Sequence, residues 1–392
     1  MQKKLIALAV AGAFAAPAFA ATSNVDVYGQ INMSVERVDN GDTAVQRMVS
    51  NNNSFIGVKG SEDLGGGLSA VWQIEANLNT DGNGSTGNFY DSANAKQTSI
   101  TANNNIFGTR NTYVGLSSKT LGTVIAGVHD TPYKMSTNGL DIFVGTLGDY
   151  NAIFGNGGTR HGTYKAYNPS ALFDLRTGNT IAYMSPNFDG FEFKAAYVMG
   201  AEASVTSSRS SAYSLSGSYT NGPLFLTAAY ERHNNVNGYN GGTPSTGFGF
   251  CNNGAVCLGE GDYDMHAYKF GAGYTIAGLK LGAIYEKIVD DEKQIGHTSW
   301  GVNAAYPVGA MTLKAEYLKG GSTDYGAGDS GAKMIAVGVD YALSKRTVIQ
   351  LTYADLENQE NGYYALGQGP QVTPTTSGAE LSGYSIGVRH SF

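Results

Sequence analysis

Short runs in which apolar and polar residues alternate recur along the chain, and the clearest run is residues 383–392. One parity of this run is mostly apolar: Tyr384, Ile386, Val388, His390 and Phe392. The other parity is polar or small: Ser385, Gly387, Arg389 and Ser391. Successive side chains of a strand point to opposite faces, so the run predicts a strand with one apolar face. A closed membrane β-barrel can end on such a strand, because its last strand pairs with its first.

The same alternation occurs throughout the body of the chain. It is clearest in residues 25–35, 68–77, 279–286, 300–306, 311–317 and 335–341. Each run has roughly 8 to 12 residues, the length that a tilted strand needs to cross a bilayer. Tyr and Phe recur near the ends of the runs, where aromatic girdles meet lipid headgroups. We count about sixteen runs, an even number as expected for such barrels, with residues 110–116 and 180–184 the weakest.

The connections between the runs differ in length. Short ones, rich in Gly, Pro, Asn or Ser, are residues 62–67, 117–122, 186–190, 221–223, 277–278, 307–310 and 343–346. Long ones are residues 38–53, 79–108, 130–178, 233–263 and 357–382. This asymmetry predicts an all-β fold, a 16-stranded antiparallel transmembrane β-barrel with short periplasmic turns and long external loops. A soluble β-sandwich is the alternative, and it would lack the asymmetry.

The N-terminal residues predict export from the cytoplasm. Lys3 and Lys4 precede an apolar stretch, residues 5–16, and Ala18 and Ala20 form a small-x-small cleavage site. We expect a signal peptide at residues 1–20 and a single barrel domain at residues 21–392. The apolar stretch is shorter than the roughly 20 residues of a membrane-spanning helix. The expected destination is the outer membrane of a Gram-negative bacterium.

Composition is consistent with this class and argues against one kind of partner. Hydrophobic residues make up 42% of the chain and the mean hydropathy is -0.20. Transmembrane barrels have such values because lumen-facing polar residues dilute the lipid-facing apolar ones. The formal charge of -7 argues against a nucleic-acid partner, which calls for a basic patch.

Several segments resemble the general porins of β-proteobacteria. The matching segments are residues 27–30, 54–68, 70–75, 113–116, 185–191 and 387–392, in order along the chain. The resemblance implies a trimer of 16-stranded, water-filled channels whose third external loop folds inward and narrows the pore. It assigns that loop to residues 130–178, which carry Asp141 and Asp149 early and Arg160, His161, Lys165 and Arg176 later.

The resemblance also implies a cluster of arginines at the constriction. Arg110 and Arg176 match two such positions, whereas the family's Ser-Arg-x-Gly reads Ser54-Phe55-Ile56-Gly57 here. Strand parity adds Lys59 and Glu75 to the wall candidates, with Lys194, Lys280, Lys314 and Arg389. Loop carboxylates facing wall cations would set a transverse field across the pore. The missing cation at Phe55 should weaken a preference for anions or shift the selectivity toward cations.

Two further motifs concern the external loops. Cys251 and Cys257 lie in residues 233–263, and export to an oxidising compartment favours a disulfide between them over free thiols. No His stands at ligand spacing from them, so no metal site is predicted. Residues 82–87 fit G-x-G-x-x-G, but no amphipathic helix follows, so we interpret them as loop.

The favoured function is passive diffusion of ions and small hydrophilic solutes, without an enzymatic reaction or a cofactor. A substrate-selective channel is the alternative of the same fold, with Tyr28 and Tyr113 as the possible start of an aromatic ladder. An adhesin that uses the external loops is a second alternative. The expected partners are outer-membrane lipid and lipopolysaccharide, two further copies of the chain in a homotrimer, and the assembly machinery, which would recognise the terminal Phe392.

Overall fold

The computed structural model describes residues 24–49, 53–78, 110–155, 173–199, 211–237, 262–291, 296–323, 328–367 and 372–392. The predicted signal peptide and the Cys251–Cys257 pair lie outside these residues. Within the described residues, no helix has the length and hydropathy needed to cross a membrane.

The described residues form one antiparallel sheet with a short helix and two 3-10 turns. The strands of the first half are β1 (Asn24–Asp39), β2 (Ala44–Val49), β3 (Phe55–Gly65), β4 (Leu68–Asn77), β5 (Thr112–Ser118), β6 (Gly122–Asp130), β7 (Arg176–Met184) and β8 (Phe191–Met199). Those of the second half are β9 (Ser211–Asn221), β10 (Leu224–Asn237), β11 (Asp262–Ile276), β12 (Leu279–Asp290), β13 (His297–Val308), β14 (Met311–Gly320), β15 (Ala332–Ala342), β16 (Thr347–Asn358) and β17 (Glu380–Ser391). The helix α1 (Pro132–Thr137) and the 3-10 turns Asn138–Leu140 and Tyr150–Ala152 follow β6.

The sheet closes on itself into a barrel of sixteen strands, as predicted. β2 pairs with residues 34–39 of β1, and β3 pairs with residues 24–30 of the same strand. β2 and β3 therefore share one strand position in the barrel. β17 pairs with β1 and closes the ring, with Gln30 opposite Ser391 and Asp39 opposite Ser382. The predicted pairing of the last strand with the first is confirmed. It involves residues 30–39 of β1, which extend beyond the first predicted run, residues 25–35.

The two faces of the last strand differ as the alternation predicted. Tyr384, Ile386 and Val388 are 57%, 54% and 47% exposed, whereas Ser385 and Gly387 are buried. The other strands follow the same rule, with large apolar side chains on the outer surface. An apolar outer band of this kind is stable in contact with lipid rather than water.

The first long connection is partly ordered as strand rather than loop. Residues 38–53 were predicted as a loop, but β1 continues to Asp39 and turns into β2. Asn40 holds the turn, because its Oδ1 accepts hydrogen bonds from the backbone N–H groups of Asp42 (3.3 Å) and Thr43 (3.0 Å).

Residues 131–155, which we call the inner segment, fold into the barrel and confirm the inward-folded third loop. Thr131 caps α1 by accepting a hydrogen bond from the Lys134 N–H. The wall donates to the backbone of the segment from three sides. Asn32 Nδ2 donates to Gly145 O (3.2 Å), Asn303 Nδ2 to Leu140 O (2.7 Å) and Lys314 Nζ to Ile142 O (3.0 Å). The segment is therefore anchored to β1, β13 and β14.

Apolar packing holds the inner segment against one side of the lumen. Phe143, Leu147 and Phe154 are buried in a cluster with wall residues of β12 and of β14 to β17. Part of the last external connection joins this cluster through Tyr364, Leu366 and Val372. This packing fills one side of the barrel interior.

Candidate functional site

A polar cavity of about 330 Å³ separates the inner segment from the opposite wall. Its lining is Asn53, Asn77, Arg110, Asp130, Lys134, Asn138, Asp141, Val144, Tyr150, Asn151 and Arg176. We call it the constriction cavity. Six of these residues, from Lys134 to Asn151, belong to the inner segment. The others lie at or just before the ends of β3 to β7 that face the long connections.

Asp130 organises one side of the constriction cavity. Its carboxylate lies 3.1 Å from Arg176 Nε and 3.2 Å from Lys134 Nζ. Asn111 Nδ2 donates to Asp130 Oδ2 (3.1 Å), and Arg176 Nε donates to Asn111 Oδ1 (3.0 Å). The start of the inner segment is thereby tied to the two strands that flank it. Lys134 lies four residues after Asp130, so the first turn of α1 places it there.

Arg110 forms the adjoining wall just before β5. Its Nε lies 3.6 Å from Glu75 Oε2, and its Nη1 donates to Asn77 Oδ1 (3.3 Å). The guanidinium carbon lies 4.7 Å from the centroid of the Phe55 ring. A cation over an aromatic face is attracted by the ring quadrupole. Phe55, the departure from the family pattern, therefore lies beside one of the predicted constriction arginines.

Tyr28 continues this wall toward the short-turn end of the barrel. Its hydroxyl donates to Glu75 Oε1 (2.7 Å), and Lys59 Nζ lies 4.9 Å from its ring centroid. A Cβ on Gly57 would lie 2.5 Å from Tyr28 Cζ, so the ring rests directly on the Gly57 backbone. The family motif keeps a glycine here, and in this fold its absent side chain makes room for the ring.

The two loop carboxylates occupy different positions. Asp141 lines the constriction cavity and accepts a hydrogen bond from the Phe143 N–H (2.8 Å). Asp149 is fully buried and does not line the constriction cavity. Its carboxylate oxygens point into the inner segment, where they accept hydrogen bonds from the backbone N–H groups of Gly145 (2.9 Å) and Asn151 (3.0 Å). Burial raises the pKa of Asp149 to about 6, although these hydrogen bonds oppose the rise. Burial and the neighbouring Asp149 raise the pKa of Asp141 well above its usual range.

A buried charged cluster fixes the far end of the third connection to the wall. Lys269 of β11 forms ion pairs with Asp174 and, at 3.3 Å, with Glu286. Tyr133 donates its hydroxyl to Glu286 Oε1 (2.8 Å), and the Gly155 N–H donates to Glu286 Oε2 (2.8 Å). Burial raises the pKa of Asp174, and the adjacent Lys269 opposes that rise. This cluster was not predictable from the sequence, because Lys269 and Glu286 are scattered single charges until the strands pair.

The structure brings most of the predicted site residues together. Arg110, Arg176 and Asp141 line the constriction cavity, and Phe55, Glu75 and Lys59 lie on the wall beside it. Arg160, Lys165, Cys251 and Cys257 lie outside the described residues. Sequence reasoning did not nominate Asp130 and Lys134. The four-residue spacing of Asp130 and Lys134 at the start of the long loop could have predicted their ion pair on a helical turn.

The C-terminal residue closes the barrel seam. The Phe392 N–H donates to Gly29 O (3.0 Å), and the Gly29 N–H donates to Phe392 O (3.1 Å). A Cβ on Gly29 would lie 2.7 Å from Phe392 Cζ, so the terminal ring covers this glycine of β1.

Comparisons with known proteins agree with this architecture. The family model for Gram-negative porins matches residues 7–361. Outer membrane porin protein 32 of Delftia acidovorans is 27% identical over the full length of both chains. The anion-selective porin from Comamonas acidovorans superposes with a TM-score of 0.71 at 24% identity, over 94% of this chain and 100% of that one. The trimer form of OmpT, an outer membrane protein of Vibrio cholerae, superposes with a TM-score of 0.61 at 16% identity, over 94% and 99% of the two chains. The chain therefore belongs to the Gram-negative porin family and is an outer-membrane β-barrel with a porin channel function.

Proposed function

We propose that solutes pass through the constriction cavity and that this passage prefers small anions over cations. Ions and small hydrophilic solutes cross by passive diffusion, and no reaction is catalysed. The supporting observation is the position of the cavity, bounded by the anchored inner segment on one side and a charged wall on the other.

The balance of charge along the passage supports the anion preference. Arg110, Lys134 and Arg176 line the cavity and Lys59 lies on the adjoining wall, against the carboxylates of Asp130 and Glu75. Asp141 also lines the cavity, and burial beside Asp149 raises the pKa of this carboxyl, which favours its neutral form. Charged groups at a narrow point set the sign of selectivity in water-filled pores. The anion-selective relative of known structure has the same fold.

A planar-bilayer measurement tests this proposal. With the purified protein in a potassium chloride gradient, the reversal potential should have the sign of chloride preference. Replacing Lys134 by Gln should reduce that preference, because Asp130 would then retain only Arg176 as a counter-ion. A cation-selective wild-type channel would overturn the proposal, as would a reversal potential unchanged in Lys134→Gln.

We also infer that the barrel self-associates as a homotrimer and is recognised through Phe392 by the outer-membrane assembly machinery. The trimer form among the structural neighbours supports the homotrimer. The exposed seam between β17 and β1, which ends on Phe392, supports recognition by the assembly machinery. Native mass measurement in detergent tests the trimer, and a monomeric mass would contradict it.

Outer-membrane lipid and lipopolysaccharide are the proposed surroundings of the outer face. Lys319 and Lys333 are exposed, lie directly opposite each other on β14 and β15 near the external ends of these strands, and belong to the apolar outward parity. Two like charges in facing positions destabilise a sheet unless an anion lies near them. Lys333 pairs with Glu357 (2.7 Å), so Lys319 is the better candidate for a lipopolysaccharide phosphate. Lys319→Gln should lower the amount of co-purified lipopolysaccharide, and an unchanged amount would contradict this assignment.

A further inference from the structure

We propose that the wall beside the constriction cavity binds aromatic carboxylates during their passage, at a site made by Lys59, Tyr28, Phe55 and Arg110. We call these four residues the aromatic column. The inference rests on the proposed channel function and adds a solute class to it.

In the aromatic column, two adjacent rings lie between two cations. Lys59 Nζ lies 4.9 Å from the Tyr28 centroid, and the Arg110 guanidinium carbon lies 4.7 Å from the Phe55 centroid. The two ring centroids are 6.0 Å apart, with planes at 72°. Lys59 and Phe55 are four residues apart on β3, which corresponds to about 13 Å along a strand. The column therefore runs from the constriction cavity toward the short-turn end of the pore.

The column is held in place before any solute arrives. The Tyr28 ring rests on the Gly57 backbone, and its hydroxyl is fixed by the hydrogen bond to Glu75. Glu75 also lies 3.6 Å from Arg110 Nε, so one carboxylate orients both a ring and a cation. Groups that are already ordered lose little conformational entropy on binding. Tyr28 and Phe55 remain partly exposed, and both lie on the lumen-facing parity of their strands.

The charges of the column favour anions. Lys59 is exposed, and among the described residues no carboxylate forms an ion pair with it. Arg110 and Glu75 offset each other, so the column retains a positive charge. An organic cation would be repelled by both ends, whereas a carboxylate can form charge-assisted hydrogen bonds with Arg110 or Lys59.

The two rings of the column favour an anion that carries a planar apolar group. A carboxylate that carries an aromatic ring can pack against Phe55 and Tyr28 while its charge meets a flanking cation. A saturated carboxylate of similar size gains the charge contact but not the aromatic one. The predicted discrimination between two such solutes is roughly threefold to tenfold, the factor expected for one aromatic pair.

Block of chloride current by two matched anions tests the proposal. The purified protein is placed in a planar bilayer, and potassium benzoate or potassium cyclohexanecarboxylate is added on the periplasmic side. Benzoate should reduce the chloride current by half at a concentration roughly threefold to tenfold lower than cyclohexanecarboxylate. Equal concentrations in the wild-type channel would overturn the proposal without any variant.

Two substitutions of Phe55 assign the effect to the column. Phe55→Leu should bring the two half-blocking concentrations together, whereas Phe55→Tyr should keep them apart. The matched control is Phe193→Leu, since Phe193 of β8 faces outward and is 48% exposed. A benzoate preference that persists in Phe55→Leu would overturn the assignment. The proposed anion preference fails separately, through the sign of the chloride reversal potential.

Discussion

The guanidinium of Arg110 lies over the ring of Phe55, with 4.7 Å between its central carbon and the ring centroid. The two residues are 55 positions apart in the chain, and β4 brings them together because it pairs with both β3 and β5. Arg110 donates its backbone N–H to Glu75 O (3.2 Å), and Glu75 lies on the strand next to Phe55. Phe55, which stands where the family has an arginine, thus contacts Arg110 of the same wall.

Replacing Phe55 by Arg should therefore shift selectivity toward anions. The new guanidinium would stand near Arg110 and raise the positive charge of the wall, with Glu75 offsetting part of it. The reversal potential in a potassium chloride gradient measures the shift. Phe55→Leu, which adds no charge, is the control. A reversal potential equal to that of the wild type would place Phe55 away from the narrowest point.

Replacing Lys269 by Met should destabilise the barrel and release the end of the third connection. The substitution leaves Asp174 and Glu286 without their buried cation, and breaking such a pair costs about 3–5 kcal/mol. Denaturation in detergent should show a lower midpoint, and single-channel records should show added current noise. Lys333→Met is the control, because the Lys333–Glu357 pair is exposed and its loss should change the midpoint little. Similar midpoints for the two variants would contradict the anchoring role.

The inner segment should be more stable at pH 5 than at pH 7. Burial raises the pKa of Asp149 to about 6, above the value of about 3.9 in an unfolded chain. A carboxyl group with a raised pKa in the folded state contributes stability that is complete below the unfolded pKa and lost as pH rises through the folded pKa. The thermal midpoint should fall between pH 5 and pH 7, and the fall should be smaller in Asp149→Asn. An equal fall in both proteins would show that Asp149 is not responsible.

Deleting Phe392 should impair assembly more than conductance. The deletion removes both backbone hydrogen bonds to Gly29 and uncovers that glycine on the outer side of the seam, without removing a residue that lines the constriction cavity. The amount of folded protein in the outer membrane should drop, while each inserted channel keeps its unitary conductance. Phe392→Tyr keeps the ring and is the control. Normal membrane levels of the deletion variant would contradict the role in assembly.

Much of the fold was predictable, because its signals are local. Tyr384, Ile386 and Val388 alternate with Ser385 and Gly387 in the sequence, and lipid on one side and a lumen on the other require that alternation. The short turns likewise carry their own residue preferences. The first long connection was the exception. The turn at Asn40 and the pairing of β2 with β1 depend on contacts between strands rather than on alternation.

The site was predictable only in part. Arg110, Arg176 and Asp141 were named from a resemblance and do line the constriction cavity. Asp149, by contrast, is a buried cap within the inner segment, because the Gly145 and Asn151 N–H groups turn toward it. Parity tells which face a residue is on but not its depth along the pore or its partner across the lumen.

The sequence by itself determined the strand alternation, the short turns and the family. It did so because period-two alternation and turn chemistry act between near neighbours. The tertiary structure alone decided that Arg110 lies over Phe55, that Lys269 meets Asp174 and Glu286, and that the inner segment packs against one side of the lumen. Those contacts join residues tens of positions apart, and only strand register and the packing of the inner segment bring them within reach of short-range forces.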